Sequence, residues 1–153
     1  MIDDLYSAKI LKLAADMPRA GRLATPDASS EKIAKLCGSK VTVDVKVENG
    51  VVVDFAQDVR ACALGQASAA VLGAHVVVAR IDEIEVARDA LSAMLKANGP
   101  APVGRFAELA VLEVVKDYPA RHASTLLAFE ATVAAVRMAT AGATTRTSRA
   151  GAA

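Results

Sequence analysis

From Val41 to Glu48 valine alternates with polar residues: Val41, Val43, Val45 and Val47 are separated by Thr42, Asp44, Lys46 and Glu48. A period of two has one regular solution, a strand with one face buried and the other wet. Asn49-Gly50 then introduces Val51, Val53 and Phe55, so the stretch reads as a β-hairpin. A two-residue turn would set Val47 opposite Val52 and Val45 opposite Asp54, mixing apolar with polar on one face. A loop over Glu48-Asn49-Gly50, with Gly50 left-handed, pairs Val47 with Val51, Val45 with Val53 and Val43 with Phe55. The second register is the expected one, because it collects the large apolar side chains on one face. Extended past the strands, it sets Cys37 opposite Ala61, so Cys37 and Cys62 should meet at the open end of the hairpin.

Helices are expected on both sides of this hairpin. Leu5, Ala8, Ile10, Leu11, Leu13 and Ala14 recur at helical spacing until Pro18 and Gly21, which predicts a first helix of about four turns. Residues 25–30 lack periodicity and read as a loop. After Cys62, Gln66 to Val78 is Ala-rich and helical, which puts Cys62 just before a helix N-terminus, where the dipole favours thiolate. Asp82 and Glu85 have capping-box spacing ahead of Ile84, Ala87, Leu91, Met94 and Leu95, one face of a further helix. Phe106, Leu109 and Leu112 suggest a short helix, and Tyr118-Pro119 opens a long one carrying Leu126, Leu127, Val133 and Val136. The expected fold class is α+β, a small antiparallel sheet of about three strands packed against α-helices. It forms a single domain over residues 1–140, with a disordered, Ala/Thr/Gly/Ser-rich tail over residues 141–153.

Composition narrows the function. With 18 Lys+Arg against 17 Asp+Glu, a net charge of +1, 3% aromatics and no Trp, the chain has neither the basic field nor the rings for nucleic acid. The longest apolar stretch, Ala69 to Ala79, is broken by Gly73 and His75 and is too short for a bilayer. Acids stand at Asp3 and Asp4, where a signal peptide carries bases, and the chain has only 2 cysteines. These features predict a reduced, cytoplasmic setting.

Three segments carry the chemistry: Leu36-Cys37-Gly38-Ser39, Ala61-Cys62-Ala63-Leu64-Gly65-Gln66-Ala67-Ser68, and Pro119-Ala120-Arg121-His122-Ala123-Ser124. In this order they resemble the ligand-bearing segments of the IscU/NifU-type iron–sulfur cluster assembly scaffolds, whose fold is shared by the SufE sulfur acceptors. The resemblance covers roughly Asp3 to Ala139, and the Cys62 segment is its most specific part. It implies that Cys37 and Cys62 are the first two cluster cysteines. Ser39 then stands at the family's aspartate and Ser124 at its third cysteine, so this chain is a divergent member lacking both. Ala123 occupies the family's histidine position, and His122, one residue earlier, would point about 100° away around a helix.

The resemblance implies a non-enzymatic scaffold that binds iron or an Fe–S cluster through Cys37 and Cys62 and passes it on. Its partners would be a cysteine desulfurase and recipient or carrier proteins. Thiolates also suit zinc, and a stable site usually collects four ligands. A homodimer would bring four cysteines; His122 and the position of Ser124 are the other candidate metal contacts. An alternative is a SufE-like sulfur relay carrying a persulfide on Cys62, and a third is a metal-free docking module. His75, among Val76, Val77 and Val78, is expected to be structural, as is Ser124 if it is only a helix-face hydroxyl.

Overall fold

The computed structural model describes residues 6–141, and the last helix is traced to Ala152 without description of its side chains beyond Ala141. The expected disordered tail therefore lies, except for its first residue, outside the described residues. In chain order the elements are helix α1 (Ala8–Ala15), strands β1 (Ala28–Ala34), β2 (Ser39–Glu48) and β3 (Val51–Arg60), and helices α2 (Ala63–His75) and α3 (Ile81–Lys96). A run of 3-10 turns follows over Gly104–Asp117, a short one over Pro119–Arg121, and then helix α4 (His122–Ala152).

The sheet is antiparallel in the order β1-β2-β3, which confirms the α+β class. Strand β1 includes Ala28, Ser29 and Ser30, residues expected to lie in a loop; pairing to β2 makes them a strand despite their weak pattern. The hairpin register departs from both alternatives. Asn49 and Gly50 form a two-residue turn with φ of 55° and 76°, and Val47 faces Val52. A bulge then shifts the ladder so that Lys46 pairs with Asp54 and Val45 with Phe55. The extra residue, Val53, is turned outward, while Val43, Val45, Val52 and Phe55 are all buried. The apolar face is thus kept by the bulge rather than by a longer turn.

Against the sheet lies α4, which packs on β1, β2, α2 and α3 and is buried through Leu127, Phe129, Val133 and Val136. Helix α2 is enclosed along most of its length, and its small side chains let neighbours come close. It begins at Ala63, three residues earlier than expected, and ends at His75. Helix α1 is shorter than its pattern suggests: Ser7 caps it, accepting from the Ile10 N–H at 3.3 Å, and it spans 8 residues. At α3 the capping glutamate is Glu83, whose Oε1 accepts from the Arg80 N–H at 3.1 Å, so the cap is Arg80, two residues before the expected Asp82. The segment carrying Phe106, Leu109 and Leu112 is 3-10 rather than α-helical, and those three residues are buried together with Val115.

Candidate functional site

Between β1 and β2 the chain turns through residues 35–38, closed by the Gly38 N–H donating to Ala34 O at 2.8 Å. Gly38 adopts φ +75°, a left-handed conformation that suits glycine. This turn leaves Cys37 exposed. Its Sγ lies 3.0 Å from Oγ of the buried Ser39. The Cys37 thiol is held below its ordinary value, first by the Ser39 hydroxyl, which donates to the thiolate. Burial opposes the shift, while the Ser39 backbone N–H, the Ser124 hydroxyl and the positive charge of Arg121 add to it.

Cys62 is half-buried and is the N-cap residue of α2, with extended φ and ψ of −66° and 171°. Its carbonyl accepts from the Gln66 N–H at 2.9 Å, but its side chain makes no capping bond. The sulfur points instead to Ser124, in the first turn of α4, at 3.5 Å from Oγ. The close approach is possible because residue 65 is glycine. A Cβ there would lie 2.8 Å from the Ala61 Cβ and 3.0 Å from the Ser124 carbonyl oxygen.

Ser124 therefore serves both thiols. It is a helix-face hydroxyl as expected, donating to Arg121 O at 3.1 Å, and Thr125 donates to the same carbonyl at 2.8 Å. Its oxygen also borders Cys62 directly, and with its one proton turned to Cys37 instead of Arg121 O it favours the Cys37 thiolate. Cys37, Cys62, Ser39 and Ser124 form one cluster, with Arg121 as its nearby cation.

His122 stands apart from it. The ring is buried and its Nε2 lies 3.0 Å from Val115 O and 3.2 Å from Lys116 O. A carbonyl only accepts, so this nitrogen carries the proton and is committed to the backbone. His75 sits at the opposite end of α2 from Cys62, roughly 20 Å along the helix axis. Its Nε2 is 3.8 Å from Glu108 Oε1, in keeping with a structural role.

A polar group that sequence reasoning missed is Asp44. On the outer face of the sheet it accepts from Arg22 Nε at 2.6 Å, Arg22 Nη2 at 3.0 Å, the Leu23 N–H at 3.0 Å and the Ser29 hydroxyl. Burial favours its protonated form, but those donors outweigh it and hold the carboxyl below its usual value. The alternating pattern marks Asp44 as solvent-facing, so it gives no signal of this burial.

Chemically, one chain offers two thiolates and two hydroxyls, a soft but half-sized donor set for a cluster that usually takes four thiolates. Among the described residues no group of three or more His, Cys, Asp and Glu side chains is placed to hold a metal ion. Among the described residues no helix is long and apolar enough to cross a membrane.

Residues 5–125 match the NifU-like N terminal domain. The chain is 28% identical over 126 residues to the iron–sulfur cluster assembly scaffold protein IscU of Thermotoga maritima, covering 82% of this chain and 88% of that one. It superposes with a TM-score of 0.89 on the crystal structure of a nitrogen-fixing NifU-like protein (N-terminal) from Brucella abortus. That protein is 54% identical, with 90% of this chain and 96% of the other covered. A match over most of the chain, with the two cysteines and the Ser39 and Ser124 positions in one cluster, shows that this protein belongs to the IscU/NifU-type family of NifU-like N terminal domains.

Proposed function

We propose that this protein is an iron–sulfur cluster assembly scaffold that takes iron or a cluster as cargo on the thiolates of Cys37 and Cys62 and passes it to a recipient. The carrying observation is the placement of both thiols against serine hydroxyls at one end of the sheet, Cys37 3.0 Å from Ser39 Oγ and Cys62 3.5 Å from Ser124 Oγ. The names of the relatives support the same reading. Its partners are a cysteine desulfurase as sulfur donor and a recipient or carrier protein, and it acts as a carrier in the cytoplasm rather than by turnover. Half a ligand set per chain means that external thiols or a second copy complete the coordination.

Iron and acid-labile sulfide in anaerobically purified and reconstituted protein test the reading. The wild type should hold cargo weakly, and Ser124→Cys should raise iron and sulfide per chain, because a thiolate replaces a hydroxyl that binds iron poorly. Cys62→Ala should remove what remains, and His75→Ala should not. No gain in Ser124→Cys and no loss in Cys62→Ala, with the fold intact by circular dichroism, would leave a metal-free docking module as the better account. Sulfur recovered as a persulfide on Cys62, without iron, would favour a sulfur relay.

A further inference from the structure

The same two cysteines have a second chemistry that needs no metal. Cys37 is exposed on a turn and Cys62 is half-buried at the start of the next helix, each within reach of a serine hydroxyl, Ser39 at 3.0 Å and Ser124 at 3.5 Å. The β2–β3 ladder ends with Lys40 paired to Arg60, so Cys37 and Cys62 lie three and two residues beyond the last pair, at the same end of the sheet. A disulfide accepts Cα atoms about 4.4–6.8 Å apart, a span that two residues leaving neighbouring strands at the same end can reach with a small movement of the turn. The turn has room to adjust, since nothing lies within 4 Å of where a Gly38 Cβ would stand.

We propose that Cys37 and Cys62 form a redox pair that closes to an intramolecular disulfide by exchange with a low-molecular-weight disulfide, switching the cargo site off. Exposure makes Cys37 the entry point. Its thiolate attacks one sulfur of the small disulfide and expels the other half as a thiolate. The Cys62 thiolate then attacks the Cys37 sulfur of this mixed disulfide and expels the second half. Two protein thiols lose two electrons and two protons, the small disulfide gains them, and two small thiols leave. With both sulfurs joined, neither is a thiolate ligand. This last consequence rests on the scaffold reading, whereas the disulfide itself does not.

The experiment uses the full chain, metal-free, with oxidised glutathione as the probe, followed by intact mass and thiol titration. Wild type should lose two hydrogens in mass and both thiols, and dithiothreitol should restore them. Cys62→Ser should stop at a glutathione adduct on Cys37, and Cys37→Ser should be modified more slowly. Ring closure should be faster in the native chain than in urea, where the cysteines are joined only by an unfolded loop. Closure no faster than in urea, glutathione on both cysteines of one chain, a disulfide between chains, or thiols that stay free would each overturn the proposal. The oxidised chain should also take up no iron or sulfide. If the reduced chain takes up none either, the scaffold reading fails while the disulfide result stands.

Discussion

Ser39 decides the chemistry of Cys37 at the scale of one hydroxyl. Its Oγ is buried and 3.0 Å from the sulfur, so it favours the anion, and its removal should favour the protonated thiol. Iodoacetamide alkylation read by mass spectrometry across pH should show Cys37 reacting at lower pH than a free thiol, and Ser39→Ala should move its midpoint upward. An unmoved midpoint would mean that Ser39 is not the cause. The proximity of the two cysteines to one hydroxyl follows from their places at the end of a hairpin, and those places were legible in the sequence. The hydroxyl beside Cys37 was not. Position before a helix points to Cys62, whereas the hydroxyl that favours a thiolate at Cys37 belongs to a serine two residues away. Which way a serine points at the first residue of a strand, just after a tight turn, is a local geometric fact with no pattern in the chain.

Among the elements, periodicity told strand from helix, but register and helix type depended on details. The hairpin turn is Asn49-Gly50 as its residues require, yet a bulge at Val53 restored the apolar face in a way that counting turn residues does not reveal. Phe106, Leu109, Leu112 and Val115 recur at intervals of three. That interval keeps one edge in register at three residues per turn and drifts on an α-helix, which accounts for 3-10 geometry where the spacing was read only as a short helix. The contact of α2 with α4 rests on Gly65, and it sets the distance from Cys62 to Ser124. In Gly65→Ala the added methyl would sit 2.8 Å from Ala61 Cβ and 3.0 Å from a backbone oxygen, which cannot rotate away. Overpacking costs about 1–3 kcal/mol against a gain of about 0.5–1 kcal/mol in helix propensity, so a net loss is expected. Thermal denaturation should show a lower midpoint, and reconstituted protein should retain less iron. An unchanged midpoint with unchanged iron would show that the two helices do not depend on this contact.

For the whole molecule, a central helix on one face of the sheet was foreseeable from the valines, but the covering of the other face was not. The segment leading into β1 lies across it. The Arg19 carbonyl accepts from the Gln57 N–H at 3.0 Å and the Gly21 N–H donates to Gln57 O at 2.9 Å, while Arg22 and Leu23 converge on Asp44. This segment has no periodicity of its own, so nothing local announces what it covers. Asp44 is fully buried beneath it and ionised, with its pKa below the usual carboxylate value; the unfolded chain should titrate it near about 3.9. The unfolded state therefore binds more protons than the folded state in the window between the two values. The stability contributed by Asp44 is present above about pH 4 and is lost as pH falls through the lowered folded value. Asp44→Asn, which keeps the shape but not the charge, should cost about 2 kcal/mol near neutrality, since Arg22 is half exposed and recovers part of its hydration. Urea midpoints measured from pH 7 down to pH 2 should converge for the two proteins, because acid removes from the wild type what the substitution has already taken. Curves that stay parallel throughout would show that the charge on Asp44 does not hold this segment to the sheet.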